Sequence, residues 1–155
     1  MPKTAIMLGG NLPGTLQKMD FALGQLEKSG FKVEKRSEIF HSEAVDCVPD
    51  TPDFLDCAVI GSWAGSAHEL LELCQKIEVD SGRPKIHSSR ESRVLDIDLI
   101  LFGEEIINSA DLIIPHPRAL QRRFVLEPLA AIAPNWKFPG AGTVSDALKQ
   151  LDGKE

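Results

Sequence analysis

The order of predicted elements places this 155-residue chain in the mixed α/β class, as an α+β fold. Two observations support this. Short apolar runs suited to strands alternate with two longer segments in which apolar residues recur every three or four positions. Glycine-containing breaks separate these segments. Up to residue 102 the order is β-α-β-β-α-β, the ferredoxin-like arrangement of an antiparallel sheet with both helices on one face. A helical extension is expected at the C-terminus.

The predicted core elements follow from local starts and stops. Leu16, Met19, Leu23 and Leu26 share one helical face and should point into the core. Ser66 and Glu69 form a capping-box pattern that opens the second helix. In chain order we expect a strand at 5–8, a helix at 15–28, a strand at 31–40, a long loop at 41–53, a strand at 54–63, a helix ending near 82, a basic loop at 83–92 and a strand at 94–102.

Residues beyond 102 predict the smaller C-terminal extension. It comprises short strands near 105–108 and 112–114, a turn at 115–117, an amphipathic segment at 124–132 and a last helix at 144–151. The chain shows no repeat, linker or low-complexity tract. A chain of this length can bury one core, so residues 1–155 are expected to form a single domain.

Composition narrows the function classes. Hydrophobic residues make up 43% and charged residues 26%, as in ordinary globular chains. No apolar run reaches about 18 residues, so no membrane span is expected. A net charge of −6 argues against general nucleic-acid binding. Three cysteines without motif spacing and no secretory leader suggest free thiols in a reducing cytoplasm, and a monomer is favoured.

Asp96 and Asp98 lie inside the apolar strand at 94–102. Alternation sends Leu95, Ile97, Leu99 and Leu101 into a core, and the two aspartates together to the opposite face, about 7 Å apart. The predicted topology puts this strand in the middle of the sheet, with the aspartates on the face that the two helices leave uncovered. Neighbouring carboxylates repel, and Mg²⁺ ions would remove that cost. A solvated strand face is the alternative.

Two basic clusters point to a small polyanion. Residues 83–93 hold four basic side chains against one acidic, and residues 118–123 hold three arginines. In an acidic chain, such clusters suit a nucleoside triphosphate bound with Mg²⁺, and ordinary surface scatter is the alternative. Residues 9–14 have the glycine spacing of a P-loop but lack its following Lys-Ser/Thr. No nucleophile arrangement is indicated, and phosphoryl transfer does not require one.

The stretch Arg93-Val94-Leu95-Asp96-Ile97-Asp98-Leu99-Ile100-Leu101-Phe102-Gly103 resembles the signature of the 6-hydroxymethyl-7,8-dihydropterin pyrophosphokinase family. The resemblance extends over nearly the whole chain. The other matching segments are Leu8–Asn11, Pro52–Asp56, Gln75–Glu78, Gly82-Arg83, Pro115-His116, Arg122 and Phe124–Leu129. It implies a ferredoxin-like fold and transfer of a pyrophosphoryl group from ATP to the pterin hydroxymethyl in folate biosynthesis, with release of AMP.

The resemblance also implies roles for individual residues. Asp96 and Asp98 would bind two Mg²⁺ ions and form the catalytic group together with Arg83, Lys85 and Arg93. The residues implied to line ATP are Gln75, Glu78, Arg83, Lys85, Arg93, His116 and Arg122. The residues implied to hold the pterin are Ser42, Glu43, Val45, Phe54, Asp56 and Phe124. Plain core packing is the alternative for Phe54 and Phe124.

Three departures distinguish the chain from the family pattern. Asp56 replaces the family's pterin-edge Asn, Arg90 replaces an aromatic residue of its lid loop, and Glu91-Ser92 replace the Gly-Pro before Arg93. A carboxylate only accepts hydrogen bonds, whereas an amide also donates. Two further hypotheses therefore remain open: a divergent Mg-ATP-dependent pyrophosphoryl or nucleotidyl transferase on another substrate, and a non-catalytic ATP-binding module.

Overall fold

A computed structural model describes residues 2–42, 53–82 and 94–154. Within these ranges the strands are Lys3–Gly10 (β1), Lys32–Arg36 (β2), Phe40–Ser42 (β3), Phe54–Ser62 (β4), Asp96–Phe102 (β5), Ile107–Asn108 (β6) and Ile113–Ile114 (β7). The α-helices there are Thr15–Lys28 (α1), Ala67–Asp80 (α2), Arg123–Ile132 (α3) and Val144–Lys154 (α4). A 3₁₀ turn, Ala119–Gln121, precedes α3. None of these described helices could cross a bilayer.

The main sheet has the strand order β2-β4-β1-β5, with β3 also paired to β4. All of these pairs are antiparallel. This arrangement and the element order confirm the predicted ferredoxin-like core. The pairing of the first strand with the aspartate strand is also confirmed. The expected position of that strand is wrong, because β5 is the edge strand of the described sheet rather than a central one.

Helices cover both faces of the sheet. On one face, α1 and α2 pack over an apolar cluster that includes Ile6, Leu8 and Val59. On the other face, α3 and α4 pack over a second cluster that includes Met7, Ala58 and Leu126. Successive strand residues alternate between these two clusters. Asp96 and Asp98 pair with Gly9 and Met7, so they lie on the side of α3 and α4, opposite α1 and α2 as predicted.

A β-bulge in β5 changes the direction of its last side chains. Ala5 pairs with Leu101 and Ile6 with Leu99, which leaves Ile100 as the extra residue. Leu101 therefore belongs to the cluster under α3 and α4, not to that of Leu95 and Leu99. The expectation that Leu101 continues the alternation is wrong, because the bulge reverses the faces after Leu99.

Other boundaries depend on contacts outside the element. Helix α1 has the predicted limits, but Leu16 on its predicted core face is 46% exposed and Ala22 is buried in the core. The predicted strand 31–40 is split into β2 and β3. At the break, the Ser37 hydroxyl accepts a hydrogen bond from the backbone N–H of Ala58 at 2.9 Å, so a side chain occupies part of the ladder. The capping box of Ser66 and Glu69 is confirmed.

Candidate active site

The candidate site is built across three neighbouring strands. Gly9 of β1 pairs with Asp56 of β4 on one side and with Asp96 of β5 on the other. Directly paired residues project to the same face, so both carboxylates lie on the side of α3 and α4. A Cβ at residue 9 would stand 2.6 Å from Asp56 Oδ1. The glycine therefore leaves the space that Asp56 occupies.

Asp56 is a deeply buried carboxyl group. It is 7% exposed, and Oδ2 accepts a hydrogen bond from the Ser42 hydroxyl at 3.2 Å. Burial raises the pKa of Asp56 to about 7, the charge of Asp96 raises it further, and the bond from Ser42 opposes both. The group therefore titrates near neutrality. In its charged form it can accept hydrogen bonds from a ligand that presents adjacent N–H donors.

Asp96 and Asp98 are half-buried at the start of β5. Their shared face is confirmed by their pairing with Gly9 and Met7. In the described ranges, no three His, Cys, Asp or Glu side chains gather into a group that could hold a metal. Two carboxylates beside a ligand's oxygens are the donor set that Mg²⁺ accepts, since it keeps waters and substrate oxygens in its shell. Burial is the main cause of the raised pKa of Asp56, and the Asp96 charge adds to it, so a cation beside these groups would offset the repulsion between the two carboxylates.

The entry into β5 is held by two residues that the sequence analysis did not assign to the site. The Thr15 hydroxyl lies 2.9 Å from the carbonyl oxygen of Val94 and 2.8 Å from that of Leu12. A Cβ at Gly10 would meet Val94 O at 2.4 Å. The Gly9-Gly10 pair was a visible signal for this close approach. Thr15 gave none, because its hydroxyl also fits the start of a helix.

His116, Arg122 and Phe124 form the neighbouring wall. The backbone N–H of His116 donates to Ile100 O at 2.9 Å, which attaches the segment to β5. Burial and the Arg122 charge lower the pKa of His116, while the Asp96 charge opposes them. The imidazole is therefore neutral near pH 7. The Arg122 guanidinium lies 5.5 Å from the centre of the Phe124 ring, and Phe124 is 39% exposed. Phe124 is thus available to a ligand and is not a core residue.

The other residues that the resemblance assigns to the pterin extend the same face. Phe54 and Asp56 are two apart on β4, so their side chains share the face of Asp96. Phe54 pairs with Ser42 of β3 and is half-buried. Helix α3, which carries Phe124, packs against β3 and β4. Ser42, Phe54, Asp56 and Asp96 are therefore on one face at one end of the sheet.

Gln75 and Glu78 are three residues apart on α2 and therefore lie on the same side of the helix, but their environments differ. Gln75 is exposed. Glu78 is 8% exposed, and its Oε2 accepts a hydrogen bond from the backbone N–H of Ile97 at 2.7 Å. Glu78 thus reaches the strand between the two aspartates. The remaining residues implied by the resemblance lie outside the described ranges: Glu43, Val45, Arg83, Lys85 and Arg93, together with the departures Arg90, Glu91 and Ser92.

Sequence comparison identifies relatives along most of the chain. Residues 5–134 match the family model for 7,8-dihydro-6-hydroxymethylpterin-pyrophosphokinase, HPPK. A 2-amino-4-hydroxy-6-hydroxymethyldihydropteridine pyrophosphokinase of Synechocystis is 37% identical over 147 residues, covering 94% of this chain and 74% of the relative. The Haemophilus influenzae protein of the same name is 31% identical over 147 residues, covering 94% of this chain and 91% of the relative. A folate synthesis bifunctional protein of Arabidopsis thaliana is 36% identical over 127 residues, which is 82% of this chain but 26% of that protein.

Solved structures support the fold. A crystal structure of HPPK-DHPS in complex with substrates superimposes with a TM-score of 0.76 at 12% identity, covering 99% of this chain and 44% of the other. The crystal structure of wild-type Plasmodium falciparum HPPK-DHPS with pteroate superimposes with a TM-score of 0.79 at 12% identity, covering 99% of this chain and 45% of the other. This chain thus spans less than half the length of those proteins. Taken with the family match, the chain belongs to the 7,8-dihydro-6-hydroxymethylpterin-pyrophosphokinase family and is an enzyme of the pyrophosphokinase class.

Proposed function

We propose that the face formed by Phe54, Asp56, Asp96 and Asp98 transfers the pyrophosphoryl group of ATP to 6-hydroxymethyl-7,8-dihydropterin. Pyrophosphate transfer in folate biosynthesis is the activity of the family to which the chain belongs. The observation that carries the proposal is the row Asp56–Gly9–Asp96 across three strands. It brings a buried hydrogen-bond acceptor beside the paired aspartates, so a heterocycle and a phosphate chain can meet on one face.

The reaction assigns a role to each group. The hydroxymethyl oxygen forms a bond to the β-phosphorus of ATP and loses its proton to solvent, and the bond from that phosphorus to the oxygen bridging the α-phosphate breaks, which releases AMP. Asp56 would accept from the N–H groups at the pterin edge, with the ring between Phe54 and Phe124. Neutral His116 and cationic Arg122 would contact the phosphate chain. Such positioning and charge stabilisation account for most of the catalysis of phosphoryl transfer.

Asp96 and Asp98 would hold the Mg²⁺ that accompanies ATP, and we propose two ions. Mg²⁺ held by these carboxylates would supply positive charge that offsets the charge of the phosphates. The chain's own contribution is the rigid placement of the two carboxylates. Gly10 and Thr15 set the start of β5, and the pairing with β1 aims both side chains to one face.

AMP release separates the proposed reaction from its alternatives. With Mg²⁺ and ATP present, hydroxymethyl-dihydropterin should stimulate AMP formation strongly over the rate without it. A protein that only binds ATP would form no AMP under either condition. AMP formation that requires a different heterocyclic alcohol, and not the pterin, would contradict the proposed substrate.

A divergent transferase acting on another heterocycle is the second candidate, favoured by one observation. The residue at the polar edge is a buried carboxyl whose pKa is about 7, where the resemblance implies an amide. A carboxylate there selects ligands with two adjacent donors and disfavours ligands that present an acceptor. Comparing pterins with analogues that replace one edge N–H by an acceptor would reveal which selectivity holds.

We also propose where the enzyme is located and that it is a single-domain monomer. The thiols of Cys57 and Cys74 are free and buried, which suits a reducing cytoplasm. A single domain over residues 1–155 and a monomeric state are proposed on the size of the chain. Sedimentation of the purified chain would test the monomer.

A further inference from the structure

The outer edge of β5 requires hydrogen-bond partners that the described sheet does not supply. In an antiparallel pair, successive residues direct their backbone groups alternately toward and away from the neighbouring strand. Asp96 and Asp98 flank Ile97, whose N–H points away from β1 to the outer side, where Glu78 Oε2 accepts it at 2.7 Å. Three residues along, Ile100 O accepts from the backbone N–H of His116 at 2.9 Å. A side chain and a turn thus act where a further strand would otherwise pair.

Glu78 is an unusual residue to find at this position. Its neighbours Cys74 and Ile77 on α2 are buried apolar residues, and Glu78 itself is only 8% exposed. Burial raises the pKa of the neighbouring Cys74 thiol, and the charges of Glu78 and Asp98 raise it further. Burial of a carboxylate is costly unless it is well hydrogen-bonded. The hydrogen bond from the Ile97 N–H therefore offsets part of the cost of burying Glu78.

We infer that Glu78 is a positioning residue for the metal-binding pair, acting through the backbone of Ile97. A charge-assisted hydrogen bond to the Ile97 N–H holds the Asp96–Ile97 peptide in one orientation. The two aspartates are the chain neighbours of Ile97 on either side, so their separation and direction depend on how this residue is held. This role rests on the proposed function, in which those aspartates hold Mg²⁺.

A positioning role of Glu78 differs from a role in contacting ATP. A residue that contacts nucleotide affects nucleotide affinity, and need not affect the Ile97 amide when nucleotide is absent. A positioning residue affects that amide in the protein alone and affects Mg²⁺ binding through it. The two roles therefore predict different results in measurements made before any turnover.

Three substitutions separate the hydrogen bond from the charge. Glu78→Gln keeps an acceptor oxygen at the same reach and removes the charge. Glu78→Asp keeps the charge but withdraws the acceptor by one methylene. Glu78→Leu removes both at similar volume. Glu72→Leu is the matched control, because Glu72 is an exposed carboxylate on the same helix. Circular dichroism would verify that each variant is folded.

The first readout is hydrogen exchange of the Ile97 amide, followed by NMR without ligand. Loss of this hydrogen bond in Glu78→Leu and Glu78→Asp should speed exchange by about tenfold, whereas Glu78→Gln and Glu72→Leu should keep wild-type protection. The amides of Ile6 and Leu8, inside the sheet, should change little in any variant. Unchanged Ile97 exchange in both Glu78→Leu and Glu78→Asp would overturn the inference.

The second readout is calorimetric titration of Mg²⁺ into protein with a non-hydrolysable ATP analogue. The dissociation constant for Mg²⁺ should rise about tenfold in Glu78→Leu and Glu78→Asp and stay within about threefold of wild type in Glu78→Gln. Faster Ile97 exchange without weaker Mg²⁺ binding would contradict positioning, as would a Gln variant as weak as Leu. If Glu78→Leu fails to fold, Glu78→Asp decides. Neither readout uses pterin, so absence of pterin-dependent AMP release would refute the proposed function separately.

Discussion

At the residue scale, the site places three acidic side chains in different environments. Asp56 is buried, and its pKa lies near 7 for that reason above all. Asp96 and Asp98 are half-buried and lie where a cation can reach them. Different environments give carboxyl groups different protonation at one pH. Asp56 is therefore suited to accept hydrogen bonds from a heterocycle, and Asp96 and Asp98 are suited to hold Mg²⁺.

Removal of either Asp96 or Asp98 should abolish turnover, because we propose that they hold Mg²⁺. We expect Asp96→Ala and Asp98→Ala to lower kcat by about 10²–10³-fold or more, because the transferred group loses charge stabilisation. The fold should persist, since the loss of one of two like charges relieves repulsion. AMP release at saturating Mg²⁺ measures the effect. Glu105→Ala, which removes an exposed carboxylate just beyond β5, is the control. Near-normal activity in either aspartate variant would refute the site.

Pterin affinity should depend on pH through Asp56. With a pKa of about 7, the side chain becomes protonated as pH falls below neutrality and loses its charge-assisted acceptor role. Binding of pterin with Mg²⁺ and an ATP analogue should therefore weaken from pH 8 to pH 6. Asp56→Asn should bind with little change over this range, and should keep pterin turnover within about tenfold. Calorimetry at several pH values would test this, and a pH-independent wild type would contradict it.

The same carboxyl group should affect stability in the opposite direction. Its pKa is raised in the folded protein, so the folded state binds more protons than the unfolded state between pH 4 and 7. The free energy of unfolding should consequently fall as pH rises through this window, by an amount on the order of a few kcal/mol from this group. Urea unfolding of wild type and Asp56→Asn at pH 5 and 8 would isolate the contribution. Equal pH slopes in both proteins would exclude it.

At the element scale, the approach of β1 to the start of β5 depends on Gly10. Its backbone lies against Val94 O, and Thr15 donates to the same region. Helix α1 therefore contacts, at its first turn, the segment that leads into β5. Both contacts join segments far apart in sequence, so they can be seen only in the folded protein.

Alanine at Gly10 and at Gly24 should have opposite effects. At residue 10 the new Cβ would lie 2.4 Å from Val94 O, a backbone atom that cannot move away easily. We expect a loss of about 1–3 kcal/mol of stability, together with weaker Mg²⁺ binding. At residue 24, inside α1, a Cβ meets nothing within 4 Å, and Gly24→Ala should stabilise by about 0.5–1 kcal/mol. Denaturant unfolding compares the two. A Gly10→Ala protein as stable as wild type would contradict the close approach.

Short-range sequence patterns predicted most of the helices and strands. The features that they missed depend on how distant strands pair. The capping box at Ser66 and the limits of α1 depend on residues a few positions apart, so sequence alone revealed them. The bulge at Ile100 depends on the register between β5 and β1, which no local pattern encodes. The break between β2 and β3 depends likewise on Ser37 meeting Ala58. Local patterns thus predicted the limits of α1 and the start of α2, but they misplaced Leu16 and failed where a distant strand set the geometry.

At the scale of the whole molecule, one sheet separates two cores. The cluster under α1 and α2 and the cluster under α3 and α4 share β1, β4 and β5. The candidate site lies on the same side of the sheet as the cluster under α3 and α4, where Asp56, Asp96 and Asp98 replace apolar side chains. Sequence alternation predicted the face of the aspartates, but the edge position of β5 and the role of Glu78 required the packed helices. A ligand bound at the proposed site would contact strands that belong to both cores.

Ligand binding at the shared strands should stabilise the whole fold. A nucleotide analogue with Mg²⁺ at about a hundred times its dissociation constant contributes about 2.7 kcal/mol by mass action. For a protein of this size, that corresponds to a rise in Tm of about 5–10 °C. Asp98→Ala should lose most of this shift, as should wild type in excess chelator, while Glu105→Ala should retain it. Thermal unfolding by circular dichroism provides the measurement. A full shift in Asp98→Ala, or one unaffected by chelator, would mean that the nucleotide binds elsewhere or without the metal.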